Sequence, residues 1–224
     1  MTTPDDFIDD VRYDSWFAQL KNLQVFWVFI AAVLACVALS LMTEAFTSER
    51  NLFNVARNFA FVAIIAIGMT AVIASGGIDL SVGSSVVLSA MVISVTMASG
   101  MGFWVSAGLA LGAALLVGLL NGVLIAYAGM PAFVVTLGTL SAARSLAMVL
   151  SDNKMIWQFG PDHETLLWIG GGSTLGLPHP LYVLGGLALV MSLVFRWTRW
   201  GQHLFAIGGN ENAAVLAGIP VRRL

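Results

Sequence analysis

The chain has 224 residues, 58% of them hydrophobic and 10% charged, with a mean hydropathy of +0.89 and a net charge of -2. A soluble domain carries roughly 25% charged residues, so this composition predicts a membrane protein, and scattered arginines on a near-neutral balance give no basic stripe for nucleic acid. A single cysteine, Cys36, excludes an intramolecular disulfide and a Cys-rich metal motif, and His163, His179 and His203 are too far apart for a metal-ligand spacing.

The first 22 residues contain the acidic run "TTPDDFIDDVRYD", the wrong flank for a signal peptide, and read as a cytoplasmic or interfacial head that stays attached. A hydrocarbon core about 30 Å thick needs roughly 20 helical residues per crossing. The first such run is residues 23 to 42. The polar stretch "TEAFTSERN" leads into the second, 59 to 75.

That run stops at "SGGIDLSVGS", residues 75 to 84, which holds Asp79, the one formally charged residue between Arg57 and Arg144. A carboxylate at membrane depth costs several kcal/mol or more unless it faces water, an interface or a partner. Gly76 and Gly77 relax the backbone, while Ser81, Gly83 and Ser84 suit a turn and a helix restart. Asp79 is positioned to cap the next helix by accepting backbone N–H bonds near residues 81 or 82. The motif therefore reads as a break between membrane helices, and its place along a translocation route stays open.

The third run, 85 to 99, reaches crossing length only if it begins near Ser81. The fourth, 103 to 129, is longer than one perpendicular crossing needs, and its pairs Gly108/Gly112 and Gly118/Gly122 suit close backbone packing. In "AGMPAFVVTLGT", 128 to 139, Pro131 turns the chain, and Thr136 and Thr139 offer hydroxyls on one face, giving a second expected break over 129 to 139. The fifth run, 131 to 150, contains Arg144, which needs a polar partner or a snorkelling route; Asp79 is one possible partner. Residues 151 to 179 read as a long loop in which "DHE", 162 to 164, is ordinary polar sequence rather than a metal site, and the sixth run is 180 to 197.

The sequence thus predicts an all-α polytopic membrane protein of about six transmembrane or partly inserted helices, with a membrane domain over 23 to 197 and a polar segment over 198 to 224. Arg196, Arg199, Arg222 and Arg223 follow the last run, so the positive-inside rule puts that segment in the cytoplasm. Six crossings then put the N-terminus on the same side, with Arg12 and Lys21 in support. Within 198 to 224, Asn210 or Asn212 can cap a short helix that Gly218 and Pro220 end. No Walker A sequence, dinucleotide fingerprint or nucleophile elbow is present, so no catalytic residue and no directly bound cofactor or metal is expected.

Three segments, "AIGMTAVIASGGIDLSVGSSVVLSA", "GMPAFVVTLGTLSAARSL" and "GQHLFAIGGNENAAVLAGIPVRRL", together resemble the permease subunits of bacterial ABC importers for ribose and related monosaccharides, over roughly residues 50 to 224. The resemblance implies a permease of the bacterial inner membrane that moves sugar by alternating access. Its implied partners are a second permease copy or a related permease, a cytoplasmic ATPase carrying ATP and magnesium, and a periplasmic or extracellular sugar-binding protein. It also implies that Gly208, Gly209, Asn210, Glu211, Ala213, Ala214 and Gly218 belong to the cytoplasmic segment that contacts the ATPase. Asn212 stands where an acidic residue is usual, and family members continue through further spans after this segment, so the chain resembles an incomplete permease. The competing readings are a secondary transporter or channel that needs no ATP, and a non-transporting membrane assembly subunit.

Overall fold

The computed structural model describes residues 24 to 223, so the expected N-terminal head lies outside the described residues. Two units make up the chain, divided between Asn54 and Val55. The described part of the first holds α1 (Gln24–Met42) and α2 (Glu44–Thr47). From Phe26 onward α1 has no buried residue, and its Trp27, Phe29, Leu34 and Leu41 are all exposed. A helix that is apolar on every side and buries none of them is suited to lipid.

The helix α3 (Glu49–Ala74) begins ten residues before the expected second run. Ser48 explains the early start, because its hydroxyl accepts from Asn51 N at 3.3 Å, while Asn51 Nδ2 donates to Phe46 O at 2.8 Å. Its 26 residues span about 39 Å at 1.5 Å per residue, more than the hydrocarbon core, so the polar first turns extend into an interface.

Next come α4 (Val82–Ala98), α5 (Phe103–Ala126) and α6 (Ala132–Leu150). The start of α4 at Val82 satisfies the length requirement placed on the third run. The second break is shorter than expected. It occupies 127 to 131, where Gly129 takes φ +67° and Pro131 precedes α6 in an extended conformation, and 132 to 139 is helical. Thr136 and Thr139 do not interrupt the helix because their hydroxyls bond back to Ala132 O at 2.9 Å and Val135 O at 3.2 Å.

Among these three helices α4 is central, packing on both α5 and α6. Leu88 of α4 meets Ala143 and Ala147 of α6, with Met91, Val92 and Val117 around them. On α5 the inward stripe is Phe103, Ser106, Ala110 and Asn121. The expected Gly108/Gly112 and Gly118/Gly122 packing faces lie off that stripe. A Cβ at any of the four would meet nothing within 4 Å, so among the described residues no helix packs on them.

The expected loop over 151 to 179 contains α7 (His163–Gly171) and a hairpin of β1 (Ser173–Thr174) and β2 (Leu177–Pro178), paired antiparallel with Ser173 opposite Pro178. The two-residue turn uses positive φ at Leu175 and Gly176. Asp162 ties this region to the start of α5 by accepting from Phe103 N at 2.9 Å. α8 (His179–Trp197) is followed by an unforeseen helix, α9 (Arg199–Gly209), then α10 (Glu211–Leu216) and a 3-10 turn, Val221–Arg223. Thr198 caps α9 by accepting from Gly201 N at 3.2 Å. Gly201 lets the chain double back, since a Cβ there would lie 2.5 Å from Phe195 Cα.

Among the described residues four helices, α3, α5, α6 and α8, are long and apolar enough to cross a membrane, and α4 and the Phe26–Met42 part of α1 are shorter apolar helices. The described residues thus form an all-α membrane protein with about six apolar helices and one small hairpin at a loop.

Ala147 is 1% exposed in the α4/α6 contact, whereas Val149 on the same helix is 74% exposed. Ala147→Phe is expected to destabilise the protein by about 1 to 3 kcal/mol through overpacking, with Val149→Phe near neutral, as read by thermal unfolding in detergent.

Candidate functional site

The break between α3 and α4 is a stitched turn. α3 ends at Ala74, and Gly76 N and Gly77 N return to Ile73 O at 2.9 Å and Val72 O at 3.0 Å. Gly76 takes φ +83°, a conformation that costs a residue with a Cβ. Asp79 then supplies the next acceptor. Its Oδ1 receives Ser81 N and Ser81 Oγ, each at 2.7 Å, so one residue satisfies the acid through both backbone and side chain.

Ser81 is 1% exposed and receives Asn121 Nδ2 of α5 on its hydroxyl at 3.0 Å. The order of donation is therefore Asn121 to Ser81 to Asp79, ending on the carboxylate, the strongest acceptor of the three. From the opposite side Thr136 Oγ1 of α6 lies 3.3 Å from Ile78 O while bonding Ala132 O at 2.9 Å. The turn is thus held by side chains from both neighbouring helices. Gly83 lies inside α4 with open space around it, and Thr139, 8% exposed, bonds only within α6.

Asn121 is the residue that sequence reasoning missed. It is the one amide side chain in the run Phe103–Ala126, and that isolation was the available signal. Its Oδ1 has no hydrogen-bond partner among the described residues, and Asn121 is 6% exposed. Asp79 and Arg144 do not pair. Eight residues separate Thr136, which reaches the turn at Ile78, from Arg144, about 12 Å along the helix.

A second contact joins two motifs that are far apart in sequence. Gly208, near the end of α9, lies directly on the end of α3: a Cβ on it would stand 2.0 Å from Ala74 O and 3.2 Å from Gly76 N. Gly76 reciprocates, with its Cβ position 3.7 Å from Gly208 Cα. The approach requires glycine at 208, where a Cβ would collide with backbone, while at 76 the Cβ position is at ordinary contact distance and it is the positive φ that favours glycine.

Beyond Gly208 the chain turns at Asn210, whose Oδ1 accepts from Ala213 N at 3.0 Å and caps α10. Ala214 is 3% exposed and faces the protein. Gly209, Glu211 and Ala213 are exposed, as are Val215 and Leu216, the latter at 90%. Gly218, at φ +80°, ends the helix with bonds from Gly218 N to Val215 O and Ile219 N to Ala214 O, each 3.0 Å.

Both breaks and the α9–α10 segment gather at one end of the second unit. At the other end Asp162 meets Phe103, and Gly160 lies against Met97. Two open crevices of about 480 and 410 Å³, one lined by Thr70, Ser192 and Arg196 and the other by Trp168, His179 and Tyr182, include none of Asp79, Ser81, Asn121 or Thr136. Among the described residues no group of three or more His, Cys, Asp or Glu side chains is placed to hold a metal.

With at least four described helices able to cross a membrane and breaks between them, the fold defines a polytopic helical membrane protein. The chain belongs to the family of permease components of branched-chain amino acid transport systems, whose model matches residues 51–224. Members of this family are transport components and not enzymes. The chain is 35% identical over 217 residues to the ribose import permease protein RbsC of Escherichia coli strain K12, covering 94% of this chain and 64% of that protein. It is 31% identical over 209 residues to the D-allose transport system permease protein AlsC of the same strain, covering 90% and 63%. It is 34% identical over 230 residues to the L-arabinose ABC transporter permease protein AraH of Azospirillum brasilense, covering 99% and 64%. The chain therefore spans a little under two thirds of the length of these relatives. No solved structure matches it.

Asp79→Leu, which removes the acceptor for Ser81, is expected to cost about 1.5 to 3 kcal/mol, as loss of a hydrogen bond to a charged group does, whereas Asp79→Asn keeps an acceptor and costs less. Asn121→Leu removes one bond together with one unpaired buried acceptor, so its stability change is expected to be small. Thermal unfolding in detergent of the three variants checks this order.

Proposed function

We propose that the chain is the membrane-spanning permease component of an ATP-driven importer for a monosaccharide, working by alternating access in the bacterial inner membrane. Ribose is one candidate; relatives named for ribose, allose, arabinose and fructose support the sugar class without choosing among its members. In this reading the end that carries Gly208 and α10 faces the cytoplasm, together with the N-terminus and residue 224. ATP and magnesium bind a separate cytoplasmic ATPase, a sugar-binding protein delivers substrate from outside, and a second permease copy or a related permease completes the pathway.

The observation that carries this reading is the seat of Gly208 on Ala74 and Gly76. Glu211, Ala213, Val215 and Leu216 are exposed on α10, where a partner can grip them, and Ala214 is anchored inward. Displacing α10 moves α9, and Gly208 transmits that displacement to the end of α3 by backbone contact rather than through a flexible side chain. The adjoining turn is tied to α4 by Asp79, to α5 by Asn121 and to α6 by Thr136. A push at the coupling segment thus reaches four membrane helices through one turn, which is what alternating access driven from outside the membrane requires.

With the ATPase and the sugar-binding protein reconstituted in vesicles, Gly208→Ala is expected to lower ATP-dependent sugar uptake on the order of tenfold, within the usual range of a coupling free energy. Gly170→Ala, in α7 outside the coupling segment and with nothing within 4 Å of its Cβ, is the silent control. Glu211→Lys combined with Ala214→Trp is expected to abolish uptake while leaving membrane insertion intact. Wild-type uptake in Gly208→Ala and in this pair, with the ATPase still associated, would sink the coupling assignment. Uptake that follows an ion gradient without any ATPase would instead identify a secondary transporter.

A further inference from the structure

Arg144 lies within α6, one of the four helices long enough to cross a membrane, and it is exposed. Among the described residues it makes no hydrogen bond or ion pair. Leu150, the nearer end of the helix, is six residues away, about 9 Å along the axis. Snorkelling to that end runs against the geometry, because helical side chains tilt toward the N-terminus, here toward the membrane interior. A guanidinium held at that depth against lipid costs several kcal/mol or more.

On one side of Arg144 the exposed arc carries two serines among the apolar Val134, Leu137 and Met148. At 100° per residue Ser141 and Ser145 lie about 60° and 100° around the helix from Arg144, and both are exposed. The centre of this arc is opposite the stripe Val135, Thr139, Ala143 and Ala147 that α6 buries. A lipid-facing surface has no use for an arginine with two serines beside it, whereas a wall along which a polyhydroxy solute passes does. Neutral hydroxyls accept from the guanidinium and exchange bonds with serine hydroxyls without the tight ion pairing that would trap an anion.

We propose that the Ser141, Arg144 and Ser145 face of α6 lines the water-filled translocation route, with Arg144 as the donor that meets sugar hydroxyls in mid-passage. This rests on the importer reading above. It goes beyond that reading in assigning a face and a recognition residue that the coupling contacts do not touch.

The test uses the full permease assembled with its ATPase in membrane vesicles, with Cys36→Ser as background. Arg144→Cys is expected to react with a charged, membrane-impermeant methanethiosulfonate reagent about tenfold or more faster than Leu111→Cys, which is on an exposed apolar face of α5. No reaction at residue 144 above that control overturns the proposal, as does a cross-link showing that residue 144 is paired with an acidic side chain of a second copy. In uptake, Arg144→Leu is expected to lose about tenfold at unchanged membrane level while Arg144→Lys retains part of the activity; unchanged uptake in Arg144→Leu also overturns it. Protection from labelling is read separately. Labelling that the sugar panel fails to slow, in vesicles that take up none of those sugars, counts against the monosaccharide class and leaves the solvated face standing.

Discussion

Freed backbone groups at the end of a membrane helix must find partners inside the protein, because lipid offers none. The turn from 75 to 81 meets that demand in steps: Gly76 and Gly77 return N–H groups to the last turn of α3, Asp79 takes the N–H of Ser81, and Ser81 is buried under Asn121. The rest of the site depends on this turn keeping its shape. Without it α4 would have no fixed start, Thr136 would lose Ile78 O as a neighbour, and Gly208 would have no flat backbone to rest on.

The stitching also determines the kind of part the turn can be. Glycine at 208 lets backbone touch backbone at the end of α3, a contact with no side-chain rotamer between the two segments. The hydroxyl and amide groups around Asp79 are short side chains with few alternatives, so they hold the turn in one shape. The exposed surfaces are of a different nature. Leu216 on α10 and the arginine and serine face on α6 present chemistry to the outside of the chain, one at the membrane end and one at membrane depth.

Membrane class, the approximate number of spans and the two breaks were legible because they are one-dimensional properties. Apolar length, Gly-Gly and Met-Pro-Ala are visible in the chain order and act locally. The misses have local causes that hydropathy does not weigh. α3 starts early because Ser48 caps it, α9 forms because Thr198 caps it, and 132 to 139 stays helical because threonine hydroxyls bond their own preceding turn. The glycine pairs of α5 misled for the opposite reason, since a spacing that permits close packing does not say which face a neighbour takes.

By itself the sequence determined that this protein is a polytopic membrane chain and roughly where its helices break, because both follow from the cost of placing polar groups in an apolar solvent. Only the tertiary structure decided that Asn121 and Thr136 hold the turn and that Gly208, more than 130 residues later, is seated on Gly76. Those contacts arise from which helix faces meet, and a single chain order is compatible with many such meetings until packing selects one.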